Sequence, residues 1–145
     1  MNAHAVVDAS VATKWLVEEV DTETATALSS AWERNNVTPV APFLLPFEVA
    51  NVLYQKVKRG DLSTVDASSL MRRLLASGVV FHAPSGLHSD AIELASRLRI
   101  GASYDAHYLA LAELLDCEYW TADERFYNSV NPTYARVKLL SSFTK

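Results

Sequence analysis

The sequence contains a single cysteine, Cys117, among its 145 residues. One thiol cannot form an intramolecular disulfide, and it cannot supply the two or more cysteines of a structural zinc site. Such sparse use of cysteine is typical of proteins from a reducing compartment. The sequence therefore predicts a cytoplasmic protein.

Glycine is scarce as well, with four residues in the chain. The spacing of these glycines matches neither the phosphate-binding loop of nucleotide hydrolases nor the glycine fingerprint of dinucleotide-binding proteins. The four histidines, at positions 4, 82, 88 and 107, lack the paired spacing of known zinc motifs. We expect the histidines to occupy surface or core positions.

The sequence also lacks a long hydrophobic run. The longest apolar segment near the middle, residues 40–47, is interrupted by Pro42 and Pro46 and is too short to cross a bilayer. The first residues show no charged leader followed by an apolar stretch, so we expect neither a secretion signal nor a membrane partner.

The sequence also has fewer basic than acidic residues, 13 compared with 17, and its formal net charge is -4. This balance argues against a protein that binds polyanions through its own lysines and arginines. A site for divalent cations would weaken that argument, because a bound metal ion can supply the positive charge.

Short apolar segments alternate with helix-like stretches along a chain that is 50% hydrophobic. Five segments are predicted strands: 6–7, 37–40, 79–81, 118–120 and 137–140. Predicted helices cover residues 10–16, 21–34, 43–59, 63–76, 88–98 and 103–115. The alternation predicts one domain over residues 1–145, a three-layer α/β/α sandwich with a short, mainly parallel sheet.

Two carboxylates follow predicted strands. Asp8 comes directly after the first strand, and Asp123 follows the fourth strand by way of Thr121. In parallel α/β sheets ligands bind beyond the carboxyl ends of the strands, which places both residues at a candidate site. Each could equally be a turn residue or a helix cap, since aspartate commonly fills those positions.

Two further carboxylates lie on predicted helices that are apolar almost all round. Such helices are buried in a core or in an interface. The polar neighbours of Glu48 on its own face are Asn51 and Gln55, and neither brings a positive charge. Asp105 lies in the first turn of its helix, where it could simply complement the helix dipole.

Four carboxylates without an obvious basic neighbour would repel one another if the fold brought them together. A divalent cation with oxygen ligands removes that repulsion, and Mg²⁺ takes one or two direct carboxylates while retaining waters. We therefore predict that Asp8 is a metal ligand. Ser10 is predicted to cap the first helix, and Thr121 to orient a metal-bound water or to cap a turn.

Four segments, in this order along residues 6–126, resemble the PIN-domain proteins of the VapC type, the toxin half of toxin–antitoxin pairs. They read VVDASVATKWL, PFEVANVL, SYDAHYLALAELL and WTADERF. The fold that this resemblance implies is an α/β/α sandwich with a short parallel sheet, in agreement with the pattern of strands and helices.

The resemblance also implies a set of site residues. Asp8, Glu48 and Asp105 match the three acids that hold Mg²⁺ or Mn²⁺, and Asp123 matches a more variable fourth acid that often acts through water. Further matches are the flanking hydroxyl positions and a polar residue on the Glu48 helix, here Ser10, Thr121 and Asn51.

The activity implied by the resemblance is that of a metal-dependent endoribonuclease that hydrolyses phosphodiester bonds in tRNA or rRNA loops. Relatives form homodimers and are blocked by a cognate antitoxin. Apolar residues that could exceed the needs of one core, and so bind such partners, are Trp15, Leu16, Leu28, Trp32, Leu70 and Leu74. One departure is Glu124, where relatives often carry a basic residue; this puts RNA contact at that rim in doubt.

Other functions remain open on the sequence. A catalytically silent PIN-like module would bind RNA or a protein with the same fold. Receiver and haloacid dehalogenase domains also place an aspartate after the first strand. The dehalogenase pattern needs a second aspartate where this chain has Ser10, and a receiver needs an acidic pair before its first helix. Finally, all four acids could be structural.

Overall fold

A computed structural model of the protein describes residues 3–145. Within this range five strands alternate with seven α-helices and one short 3₁₀ helix. The elements are β1 (Ala3–Val7), α1 (Ala9–Leu16), α2 (Thr22–Arg34), β2 (Val37–Pro42), α3 (Leu44–Lys58), α4 (Thr64–Leu75), β3 (Val80–His82), α5 (Leu87–Leu98), α6 (Tyr104–Leu115), β4 (Glu118–Thr121), α7 (Glu124–Val130), β5 (Val137–Leu139) and the 3₁₀ helix Leu140–Ser142.

The strands form one sheet in the order β3-β2-β1-β4-β5, and every pairing is parallel. The chain builds the sheet outward from β1 in one direction and then crosses to β4 and β5 on the other side. The strand order therefore reverses between β1 and β4, which is the position where open parallel sheets bind ligands. The predicted parallel sheet is confirmed, and the strand predicted at residues 137–140 forms one edge of it as β5.

Side chains of the central strands alternate between two hydrophobic cores on opposite faces of the sheet. Val6 and Tyr119 pack into the larger core, whereas Val7 and Trp120 pack into the smaller one. Because both faces of the sheet are covered, the strands are apolar at most positions, as in other parallel sheets. This arrangement confirms the predicted three-layer sandwich.

The start of α1 differs from the sequence-based prediction. Asp8 is the N-cap residue, and its side chain accepts a hydrogen bond from the backbone N–H of Ser10. Ser10 is the second residue of the helix rather than its cap. An aspartate at the end of a strand can satisfy a free N–H of the following helix, so the cap falls two residues earlier than predicted.

The set of apolar residues predicted to exceed the needs of the core is wrong in most of its members. Leu16, Leu28, Trp32 and Leu74 are buried in the two cores. Large apolar side chains are exposed elsewhere, at Val20, Phe43, Phe47, Tyr54, Val65, Leu75, Val80, Ile92, Tyr104 and Leu114. Periodicity shows which residues share a stripe, but it does not show whether another element covers that stripe.

Helix α3 is consequently less enclosed than its sequence suggests. Its residues Leu45, Val49 and Leu53 are buried, but Phe47 remains 74% exposed. Its Pro46 is tolerated because it lies in the first turn, where backbone N–H groups have no partner within the helix. Among residues 3–145, no helix combines the length and the apolar character required to span a membrane.

Candidate active site

The topology brings all four predicted acids to the carboxyl edge of the sheet. Asp8 follows β1 and Asp123 follows β4, which are adjacent strands. Glu48 lies near the start of α3, which leaves the sheet at the end of β2, and Asp105 lies at the start of α6, whose other end leads into β4. Both helix starts therefore lie at the edge where the two strands end.

Asp8 is 4% exposed and is held by three donors. Its Oδ1 accepts from the backbone N–H and the hydroxyl of Ser10, and its Oδ2 accepts from the Tyr119 hydroxyl at 2.8 Å. Burial raises the pKa of Asp8 above its ordinary value, and these hydrogen bonds oppose the rise. The sequence offered two roles for Asp8, a helix cap or a residue of a candidate site. The structure shows that Asp8 is a helix cap and also a buried carboxylate at the strand end.

Glu48 is partly buried and is fixed by a residue 60 positions away. Its Oε1 accepts a 2.5 Å hydrogen bond from the Tyr108 hydroxyl, which α6 presents to α3. Burial raises the pKa of Glu48, and the negative charge of Asp8 raises it further. The pKa of the Tyr108 hydroxyl rises as well, because of burial and because of the neighbouring Glu48 carboxylate.

Asp105 is partly buried at the start of α6 and experiences the charges of the other three acids. Burial raises its pKa from 3.8 to about 6, with further contributions from Asp8, Glu48 and Asp123 in that order. Three separate like charges thus disfavour its ionised form, in agreement with the topology that brings the four acids to one edge of the sheet. We refer to Asp8, Glu48, Asp105 and Asp123 as the acid cluster.

The fourth acid differs from the others because it is exposed. Asp123 caps α7, and its Oδ1 accepts from the backbone N–H of Phe126 at 3.0 Å. The hydroxyl of buried Thr121 accepts from the backbone N–H of Asp123, as predicted for a turn cap.

Ser10 joins the ends of β1 and β4, the neighbouring strands between which the strand order reverses. Its hydroxyl donates to Asp8, accepts from the backbone N–H of Ala122 at 2.8 Å, and lies 3.3 Å from the Thr121 hydroxyl. These contacts fix the distance between the loop after β1 and the loop after β4. The predicted flanking hydroxyls are therefore placed at the site, where Ser10 acts as a bridge.

Asn51 is the one predicted residue that the fold does not visibly tie to the others. It lies one helical turn after Glu48 and is exposed. Among the described residues, no hydrogen bond joins its side chain to a member of the acid cluster.

The acid cluster has no basic partner within residues 3–145. The ion pairs in this range join other residues, such as Lys14 and Lys56 with Glu19. In the same range no three carboxylate, imidazole or thiol groups lie close enough together to form a preformed coordination sphere. The carboxylates are thus near enough to raise one another's pKa, yet too far apart to enclose an ion completely.

This donor set fits a hydrated divalent cation. Mg²⁺ is usually bound through one or two carboxylates and keeps several waters, so it does not need a closed cage of protein ligands. Oxygen donors without cysteine or histidine also match the preference of Mg²⁺ and Mn²⁺. The residues that could hold such an ion are Asp8, Glu48 and Asp105, with Asp123 reaching it through water.

Two tyrosines at the site escaped the sequence-based prediction. Tyr108 and Tyr119 stack with ring centroids 5.8 Å apart, and each donates to a different acid of the cluster. A weak signal was present, because Tyr108 follows Asp105 by three residues on one helix face. Likewise, Tyr119 precedes Thr121 by two residues on one face of a strand.

Replacing Tyr119 with phenylalanine should destabilise the metal-free protein by about 1–3 kcal/mol at pH 7. The change removes the donor to Asp8 Oδ2 and leaves one oxygen of a buried carboxylate without a protein partner. Chemical denaturation in EDTA measures this difference in the free energy of unfolding. Tyr54→Phe is the matched control, since Tyr54 is 57% exposed and should tolerate the change. Equal losses in both variants would contradict the assigned role of the Tyr119 hydroxyl.

Comparison with known proteins agrees with this architecture. The PIN domain family matches residues 5–129 of the chain. Ribonuclease VapC3 of Pyrobaculum aerophilum is 33% identical over 135 residues, an alignment that covers 88% of this chain and 98% of that protein.

Two solved structures resemble the fold. The crystal structure of PAE2754 from Pyrobaculum aerophilum superimposes with a TM-score of 0.70 at 20% identity, covering 98% of this chain and 94% of that chain. Mycobacterium tuberculosis VapC20, described as a sarcin-ricin loop cleaving toxin, gives a TM-score of 0.66 at 18% identity, with 86% and 94% coverage. Together with the family match and the VapC3 relative, these findings show that the chain belongs to the PIN-domain family.

Proposed function

We propose that this protein is a metal-dependent endoribonuclease, the toxin component of a toxin–antitoxin system, which hydrolyses phosphodiester bonds in tRNA or rRNA loops. One observation carries the proposal: the carboxylates of the acid cluster converge at the strand ends, without a basic partner among the described residues. The relative named Ribonuclease VapC3 and the structural neighbour VapC20, described as a sarcin-ricin loop cleaving toxin, support the same activity.

A bound Mg²⁺ or Mn²⁺ would neutralise the cluster, polarise the scissile phosphate and lower the pKa of an attacking water. Asp8, Glu48 and Asp105 are the residues that would hold this ion. Tyr108 and Tyr119 keep two of these carboxylates in one orientation through their hydroxyls, so little rearrangement is needed on binding. Either Asp123, which is exposed at the rim, or Asp105 would accept the proton of the attacking water.

The principal alternative is a catalytically silent PIN-like module that binds RNA or a protein. Such a module would share the fold, but it would have no use for a cluster of carboxylates that lack basic partners. Burying these groups raises their pKa, which is a cost that a purely structural cluster would avoid by pairing them with lysine or arginine. Cleavage of RNA distinguishes the two functions, because the silent module would bind without cutting.

The expected partners are the RNA substrate, a cognate antitoxin and a second copy of the chain. The homodimer and the antitoxin complex follow from the likeness to VapC proteins. Apolar side chains that could bind them outside the acid cluster include Val65 and Leu75, which are more than half exposed. Light scattering after size-exclusion chromatography would establish the oligomeric state.

Incubation of the purified protein with a mixed pool of tRNA and rRNA tests the proposed activity. We expect discrete cuts with Mg²⁺ or Mn²⁺ and intact RNA in EDTA, because the cluster needs a counter-charge before it can approach a phosphate. Sequencing of the fragment ends identifies the target. Intact RNA under all conditions, together with no rise in Tm on adding Mn²⁺, would favour the silent module.

A further inference from the structure

A cavity of about 490 Å³ lies beside the acid cluster. Its walls come from the first turns of α3 and α6 and from the segment that leads from β3 into α5. The residues that matter for its chemistry are Phe43, Phe47, Tyr104, His88 and His107. We call it the aromatic pocket.

The aromatic pocket and the acid cluster use the same two helix starts. Phe43 and Phe47 are four residues apart, and Tyr104 and His107 are three residues apart, so each pair lies on one side of its helix. Glu48 and Asp105 each follow directly after a pocket aromatic residue in the chain. The pocket therefore neighbours the acid cluster along both helix starts, although none of the four acids lines it.

The chemistry of the pocket suits a neutral, flat ligand. Phe43, Phe47 and Tyr104 are each more than half exposed, and the Phe43 ring stacks on Phe81 with centroids 5.7 Å apart. None of the residues that line the pocket is a lysine, arginine, aspartate or glutamate. The lining includes three histidines, His82, His88 and His107, but among residues 3–145 no three possible metal ligands lie close enough together to hold an ion. It has no charged side chain to pair with a phosphate or a charged peptide, and it offers stacking surfaces to a base.

A pair of histidines gives the pocket a polar group with a defined orientation. His107 Nδ1 donates to the backbone carbonyl of Ser103 at 2.7 Å, and its Nε2 lies 2.9 Å from His88 Nδ1. With both rings neutral, His107 Nε2 must accept and His88 Nδ1 must donate. The remaining nitrogen of His88, Nε2, is then an acceptor for an amino or imino group on a base edge.

We propose that the aromatic pocket binds one unpaired nucleobase of the RNA, next to the phosphodiester bond that is cut, by stacking on Phe47 and Tyr104. This inference rests on the proposed ribonuclease function and specifies how it selects unpaired RNA. The pocket volume falls within the range of about 300–1,000 Å³ that small ligands occupy. Stacking also compensates for the acidic balance of the chain, because it attracts RNA without positive charge.

Titration of the protein with 2-aminopurine ribonucleoside tests the pocket directly. This fluorescent base carries no phosphate, so its binding needs neither metal nor cleavage. We expect saturable quenching with the wild-type protein and about 5- to 150-fold weaker binding by Phe47→Ala, the range found when a stacking aromatic side chain is removed. Phe47→Trp should retain the quenching. Tyr54→Ala is the control, as it removes another exposed aromatic side chain from α3 outside the pocket.

A kinetic experiment then connects the pocket to cleavage. At the mapped cut site, Phe47→Ala and Tyr104→Ala should lower kcat/KM for intact RNA by a similar factor. Both variants should match the wild-type protein on an RNA that carries an abasic nucleotide at the stacked position. A double-mutant comparison of this kind isolates the contact between the side chain and the base.

The outcomes distinguish this proposal from the proposed function. Quenching by the wild-type protein without any RNA cleavage would support the pocket and refute the nuclease. Metal-dependent cleavage with no difference in quenching between the wild-type protein and Phe47→Ala would refute the pocket alone. Conversion of a dimer to a monomer by Phe47→Ala, with equal kinetic losses on intact and abasic RNA, would show that this face binds a second copy instead.

Discussion

An Asp8→Asn variant should fold as the wild-type protein does and cleave RNA on the order of 100-fold more slowly, or not at all. Removing a ligand of a catalytic cation forfeits several kcal/mol of transition-state stabilisation, and each 1.36 kcal/mol corresponds to a tenfold change in rate. The carboxylate is also central to the cluster, since its charge raises the pKa of both Glu48 and Asp105. Single-turnover cleavage of the mapped RNA site measures the loss.

The fold should survive because asparagine reproduces the local hydrogen bonds. Its carbonyl oxygen can accept from the Ser10 backbone and hydroxyl groups, as Asp8 Oδ1 does. Its amide group can donate to the Tyr119 hydroxyl, which lies 2.8 Å from Asp8 Oδ2. Removing a buried charge also removes its desolvation cost, so the free energy of unfolding without metal should be equal or higher.

Asp61→Asn is the matched control for this variant. Asp61 is exposed and pairs with Arg59 in the turn after α3, so its replacement should leave both cleavage and stability unchanged. A rise in Tm on adding Mn²⁺ should occur in the control and be reduced or lost in Asp8→Asn. Cleavage by Asp8→Asn at the wild-type rate would contradict the assignment of Asp8 as a metal ligand.

Asp105→Asn should stabilise the metal-free protein at pH 8 by about 1–2 kcal/mol, even though it abolishes cleavage. The folded protein holds the pKa of Asp105 at about 6, compared with 3.8 for an unperturbed aspartate. A shift of this size would correspond to a larger free energy in a fully buried group, but solvent screens the partly exposed side chain and reduces the effect. The variant removes a charge that the fold disfavours.

The pH dependence has a definite sign. Below about pH 4 the carboxyl group is protonated in both the folded and the unfolded chain, and it has no differential effect on stability. Between pH 4 and about 6 the unfolded chain loses this proton while the folded chain keeps it, so the stability of the wild-type protein falls as pH rises. Above pH 6 this loss is complete, and Asp105→Asn should not show it.

Chemical denaturation in EDTA between pH 4 and pH 8 measures the difference between the wild-type protein and Asp105→Asn. Asp66→Asn is the control, because Asp66 also lies in the first turn of a helix, α4, but is exposed. There the change removes a favourable interaction with the helix dipole and should be neutral or slightly destabilising. An Asp105→Asn variant that is less stable than the wild-type protein at pH 8 would show that the carboxylate is structural.

The sequence by itself determined the class of fold and the positions of the candidate acids along it. Short apolar strands alternating with helices require a covered parallel sheet, and the end of each strand is fixed by the chain. Asp8 directly follows β1 and Asp123 comes two residues after the end of β4, so the nearby sequence is enough to predict that both lie at the carboxyl edge. The roles of the acid cluster in binding metal and cutting RNA stay predictions.

Only the tertiary structure decided which distant residues meet. The tyrosine hydroxyls that donate to Glu48 and Asp8 come from 60 and 111 positions away, and the paired histidines of the aromatic pocket are 19 positions apart. Residue patterns report which side of an element is apolar, because that depends on the repeat of the helix or strand. They do not report which element covers that side, so Leu28 became core while Phe47 on α3 stayed exposed beside the acids.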